Sequence, residues 1–168
     1  MGLPAIADLA TGNPDWQVFA GSAAVSLFVG VSLMLTTRST SMTNLNLRQA
    51  FLLTTMSWVA VAAVGALPFA FSELEISVAD AFFESMSGIT TTGSTIIVGL
   101  DNAPPGILLW RALLQWLGGV GIIVMAMAML PILSVGGMQL FRTEAFDTPD
   151  KVLPRAAQIA GGIFAIYL

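Results

Sequence analysis

Three stretches of this 168-residue chain carry no charged side chain: residues 17–37, 49–72 and 112–141. Each is long enough to cross a hydrocarbon core about 30 Å thick, which takes about 20 helical residues. Within lipid the backbone finds no water to bond, so a run of this length reads as a helix that satisfies its own N–H and C=O groups. Composition points the same way. The chain is 56% hydrophobic and 10% charged, whereas a soluble domain carries about 25% charge. The expected fold class is therefore an all-α integral membrane protein.

The missing residue types narrow the chemistry. There is no cysteine, hence no disulfide and no thiolate metal site, and no histidine, the commonest general base and metal ligand. An enzyme is not expected and no cofactor is implied. The net charge of −4 comes with acids in the loops and no basic patch, so no nucleic-acid partner is expected. The N-terminus lacks the basic-then-apolar pattern of a signal peptide.

Along the chain, residues 1–15 read as a loop, or as the tail of an element lost upstream. Spanning helices are predicted over roughly 18–37, 49–71 (Pro68 near its exit) and 107–135 (Pro131 its obvious break). Polar connections occupy 38–48 and 136–154, a turn occupies 101–106, and 155–168 begins another apolar segment. Residues 77–88 differ: they are helical in character but cover only about 18 Å, too short to span. They carry Asp80 and Glu84, four apart and on one face, and run into Thr90-Thr91-Thr92-Gly93-Ser94-Thr95. A half-helix followed by hydroxyl- and glycine-rich backbone reads as a re-entrant loop, tolerated at membrane depth only where protein buries it or water lines it. Such a loop is the material of a cation filter, in which carbonyls and hydroxyls replace an ion's water. The domains so delimited are 1–48 (one spanning helix and a cytoplasmic connection), 49–137 (helix, half-helix with filter loop, helix) and 138–168 (cytoplasmic connection and the start of a next unit).

Cations set the orientation. Arg38, Arg48, Arg142, Lys151 and Arg155 flank the two basic connections, which lie on one side after an even number of crossings; that side is cytoplasmic. The threonine-rich loop then faces outside, with acids near its mouth to raise the local cation concentration. Arg111 is the lone cation on the outer side, and Glu84 is expected to pair with it and brace the loop; swapping both charges should restore what either single swap loses. Asp80 is expected at the half-helix's polar face rather than on an ion. Trp16, Trp110 and Trp116 fit interfacial belts, while Trp58 sits deeper and packs.

Three motifs carry a family resemblance: Phe82-Phe83-Glu84-Ser85-Met86-Ser87-Gly88-Ile89-Thr90-Thr91-Thr92-Gly93-Ser94-Thr95, then Leu109-Trp110-Arg111-Ala112-Leu113-Leu114-Gln115-Trp116-Leu117-Gly118-Gly119-Val120-Gly121, then Gly136-Gly137-Met138-Gln139-Leu140-Phe141-Arg142-Thr143-Glu144. In this order, over roughly residues 15–168, the chain resembles the TrkH branch of the Trk/Ktr superfamily of potassium transporters. The resemblance implies four pore units around one ion path in the inner (plasma) membrane. This chain matches one complete unit, preceded by one extra transmembrane helix and followed by the start of another. Its partners would be the lipid bilayer, the remaining pore units, and a cytoplasmic TrkA-type nucleotide-binding subunit.

Matched to the filter motif, Thr90, Thr91, Thr92 and Gly93 become the carbonyl donors to potassium, with the Thr91 hydroxyl a further ligand and Ser94 closing the motif. Thr91 and Thr92 are then the metal-contacting residues, and K+ is the transported ion. Gly93 occupies a position where φ > 0 is expected, which glycine meets at least cost. The resemblance also implies that family members passing sodium often have serine at a filter glycine; Gly93 favours potassium. The expected function is potassium uptake through a channel-like pore, this chain supplying one of four filter-bearing units. The alternative is a non-conducting membrane subunit or a truncated fragment of such a transporter.

Overall fold

A computed structural model describes residues 1–38, 47–133 and 162, and those residues form helices and loops with no strand among them. The polar connection at 39–46, the motif at 136–144, the cations Arg142, Lys151 and Arg155, and all of the 138–168 segment except Gly162 lie outside the described residues. The chain divides into two compact units, Met1–Gln115 and Trp116–Leu168.

The first element is a helix where the sequence reads as a loop or a tail. Helix α1 spans Gly2–Thr11 and is closed by Gly12 in the left-handed region, φ 74°. Pro4 sits in its first turn, where a missing N–H costs no helical bond, and Gly12 is the left-handed cap that ends many helices. Helix α2, Trp16–Thr37, follows after a short turn. The second span is built of α3, Leu47–Gly65, and α4, Leu67–Phe71. Pro68 has no N–H to return to the turn before it, which accounts for the interruption. Helical bonds still bridge it, from Ala66 N to Ala62 O and from Ala70 N to Ala66 O.

The short helix α5 spans Val78–Ile89, and a single 3-10 turn occupies Leu100–Asn102 before α6, Pro105–Leu133. Pro105 opens α6, where its fixed φ is pre-organised for a helix. Pro131 lies within α6 as described, the helix continuing past it to Leu133. Among the described residues, three segments are long and apolar enough to cross a membrane: Trp16–Thr37, Arg48–Phe71 and Pro105–Ile123. Their outward residues include Leu27, Phe28 and Met34, each about two-thirds exposed or more, as suits a lipid-facing surface.

In the first unit the core gathers Phe19, Ala62, Phe69, Ala81, Ile89, Ile97, Ile107, Trp110 and Leu114. Trp110 belongs to this core rather than to an interfacial belt. It is buried, its indole N–H donates to the Gly65 carbonyl at 2.9 Å, and its ring meets Phe19 edge-on at 6.4 Å. A buried indole needs an acceptor, and the Gly65 carbonyl supplies it. Small residues let the helices close on α5: a Cβ on Gly88 would lie 3.1 Å from Leu114 Cβ.

Candidate functional site

Helix α5 is pinned at its start by its own sequence. Ser77 caps it, taking the Asp80 N–H on its hydroxyl at 3.2 Å, while the Asp80 carboxylate takes the Ser77 N–H at 3.3 Å. This reciprocal pair satisfies two otherwise orphaned donors and places an acid at the positive end of the helix. Asp80 therefore has a local structural task. The Ser-x-x-Asp spacing was the available signal for it.

One turn further on, Glu84 is 1% exposed and accepts three hydrogen bonds. Arg111 Nε reaches Oε2 at 3.0 Å, while the Thr95 hydroxyl and the Ile96 N–H both reach Oε1 at 2.6 Å. The carboxylate thus ties α6 and the outgoing arm of the loop to α5. Arg111 is itself largely covered, its side chain 12% exposed. A buried carboxylate persists only when paired and fully hydrogen-bonded, and both conditions are met here.

The loop after α5 wraps back on that helix. Thr90 N bonds to Met86 O, Thr91 N to Gly88 O, and both Thr92 N and Gly93 N to Ser87 O. Ser87 Oγ donates to the Ser94 carbonyl at 2.7 Å, and Ile97 N donates to Thr95 Oγ1 at 3.1 Å. The Thr91 hydroxyl donates to the Thr90 carbonyl at 2.7 Å, and the Thr90 and Thr92 hydroxyls lie 2.9 Å apart. None of these bonds uses the carbonyl of Thr91, Thr92 or Gly93. Two residues take left-handed backbone: Gly93 at φ 77° and Thr91 at φ 59°. Glycine holds such a φ freely, whereas for a β-branched threonine it is strained.

Of the residues singled out from the sequence, Thr90 to Ser94, Glu84 and Arg111 therefore meet in one place, at the end of α5 and the start of α6. Among the described residues, the Ser94 and Thr90 carbonyls are already engaged, unlike those of Thr91, Thr92 and Gly93. Ser87 was overlooked, because a serine in an apolar half-helix has no periodic signal.

Two buried acids were overlooked as well. Asp8, fully buried, takes the Gly106 N–H at 2.6 Å and so caps α6 from α1. A Cβ on Gly106 would land inside that carboxylate. Asp15, 2% exposed, accepts the Glu73 N–H at 3.4 Å. Burial pushes its carboxyl above the usual carboxylate range, the Glu73 bond pulls it down, and the Glu73 and Asp8 charges add to the rise.

Three helices long and apolar enough to cross a membrane, with the short α5 packed against the second of these spans, are the architecture of an all-α membrane protein. Residues 15–159 match the family model for TrkH, a cation transport protein. The chain is 42% identical to Trk system potassium uptake protein TrkI of Halomonas elongata and 43% identical to Trk system potassium uptake protein TrkH of Escherichia coli K12. Each match covers 99% of this chain, but 34% and 35% of those proteins. The TrkH of Vibrio parahaemolyticus is 50% identical over 72% of this chain and 26% of its own length. The chain thus spans about a third of the length of these curated relatives, and it belongs to the TrkH family.

Proposed function

We propose that this chain supplies one filter-bearing unit of a potassium uptake pore, with residues 49–137 as the pore unit and α5 and its loop entering the membrane from outside. Thr91, Thr92 and Gly93 offer unengaged carbonyls to a dehydrating K+, the Thr90 carbonyl offers the lone pair that the Thr91 hydroxyl leaves free, the Thr91 oxygen adds a further ligand, and Ser94 closes the loop. Glu84 and Arg111 hold it in place. The observation that carries this reading is the division of labour in the loop: its N–H groups bond inward to α5 while the carbonyls of Thr91, Thr92 and Gly93 enter none of those bonds. A cation site needs oxygens that the protein has not already used. An anion site would need the reverse.

Support for the wider setting comes from the relatives, whose names place them in a potassium uptake system. The pore would be completed by the remaining units, in the inner membrane, with a TrkA-type subunit on the cytoplasmic side. Ions would pass down their electrochemical gradient.

The test is rubidium or potassium uptake by cells stripped of their own uptake systems, expressing the complete native reading frame with and without Gly93→Asp. Uptake that the substitution abolishes, at equal membrane abundance, is the expected result. Uptake that survives it would remove Gly93 from the ion path. No uptake from well-inserted native protein would favour a non-conducting subunit.

A further inference from the structure

Three consecutive loop residues all bond to one residue of α5. Ser87 receives the amides of Thr92 and Gly93 on its carbonyl, at 3.0 and 3.3 Å, and its hydroxyl donates to the Ser94 carbonyl at 2.7 Å. The residue is 5% exposed. The first two contacts use backbone, and any side chain at this position would leave them in place. The third depends on the hydroxyl alone.

That third contact fixes the peptide just beyond Gly93. With no Cβ, Gly93 leaves the peptide planes on either side free to rotate, so their orientation is set by whatever grips the chain around them. On the near side the grip is the Ser87 carbonyl. On the far side it is the Ser87 hydroxyl, followed by Glu84, which takes the Thr95 hydroxyl and the Ile96 N–H. Glu84 and Ser87 lie three residues apart and share a face of α5. Together they turn the carbonyl of Ser94 toward the helix, whereas none of the bonds described for the loop uses the carbonyls of Thr91, Thr92 and Gly93.

We propose that Ser87 is a positioning residue for ion selectivity, its hydroxyl holding the Ser94 carbonyl against α5 and out of the ion's coordination shell. The inference rests on the reading of the loop as a filter and adds to it a residue that touches no ion. Discrimination between K+ and Na+ depends on the number of coordinating oxygens and on how freely they move. Without the Ser87 hydroxyl, the Ser94 carbonyl loses its partner. It can then swing toward the path as a mobile ligand able to close in on a smaller ion, so the preference for the larger one falls.

The experiment is rubidium uptake against rising external sodium, using the complete native reading frame in cells without their own uptake systems. It compares the native protein with Ser87→Ala, Ser87→Thr and Gly93→Ala. Losing one hydrogen bond of ordinary net strength should lower the preference for rubidium over sodium by about two- to tenfold in Ser87→Ala. Ser87→Thr keeps the hydroxyl and should recover the native ratio. A ratio unchanged in Ser87→Ala but shifted in Gly93→Ala would overturn this role for Ser87 and leave the filter reading standing. A ratio unchanged in both would remove the filter reading, and this inference with it. Reduced membrane abundance with the native ratio, or a loss that Ser87→Thr does not recover, would assign Ser87 to packing and overturn the proposal too.

Discussion

Glu84→Gln is the most searching single change in this chain. The native carboxylate takes two donors on Oε1 and Arg111 on Oε2, in a pocket that leaves Glu84 1% exposed. The glutamine oxygen can still accept from Thr95 and Ile96, but its amide N–H₂ then faces the Arg111 N–H, donor against donor. The guanidinium is left covered and uncompensated. Removing one partner of a buried pair costs about 3–5 kcal/mol. Arg111→Gln strands the opposite charge, with Glu84 still held by two donors, so its cost should fall at the lower end of that range. The double variant Glu84→Gln/Arg111→Gln pairs two neutral amides. It should recover about 1–3 kcal/mol relative to the sum of the singles.

A charge swap should not rescue, contrary to what the bare pairing implies. An arginine at position 84 has no acceptor for the Thr95 hydroxyl or the Ile96 N–H. Thermal melting of the purified full-length protein in detergent, read by tryptophan fluorescence, would give the cycle. Single variants that add to within about 0.5 kcal/mol of the double would refute the coupling. Full rescue by the swap would show that the loop contacts to Glu84 contribute nothing.

Two further outcomes follow from the buried acids. Gly106→Ala drives a methyl into the Asp8 carboxylate that caps α6, and it should lower stability by about 1–3 kcal/mol; an unchanged melting temperature would mean that Asp8 does not hold the start of α6. Asp15 binds its proton more tightly in the folded chain than in the unfolded one, chiefly because it is buried. Its contribution to stability is therefore full below the usual carboxylate range and falls as pH rises through that range to the elevated folded value. Asp15→Asn mimics the protonated form. It should flatten melting temperature against pH over this window and raise it at neutral pH, whereas an unaltered slope would place the titration elsewhere.

How much of this was legible in the sequence depended on how far apart the partners lie. The spans were readable because charge is costly in lipid, so its absence over some 20 residues has few explanations. The shortness of α5 was readable from the same pattern. The positions of the cations in the sequence make Arg111 the one cation expected on its side of the membrane, and so the natural neighbour for Glu84. The other two donors to Glu84 come from a loop whose path no periodicity describes. Residues 1–15 read as a loop because Pro4 and Gly12 look like breakers, when one lies in the first turn and the other is the cap. Asp8 and Gly106 stand 98 residues apart, and nothing local to either announces the contact. Trp110 was assigned to an interface because its acceptor, the Gly65 carbonyl, lies on another helix.

The brace behind the loop carries one negative and one positive charge, so it adds no net charge next to the ion path proposed above. Asp80, the other acid of α5, is engaged at the opposite end of the helix in the cap with Ser77. Within α5 and its loop, attraction for a cation therefore cannot come from a bare carboxylate beside the ion. On the proposed filter reading it comes from oriented dipoles: the negative end of α5, which points toward the loop, and the carbonyls that follow it. Dipoles of this kind distinguish ions by how many can approach and how rigidly they are held. On that reading the residues gripping the loop, Glu84 and Ser87, matter as much to its chemistry as the threonines that would face the ion.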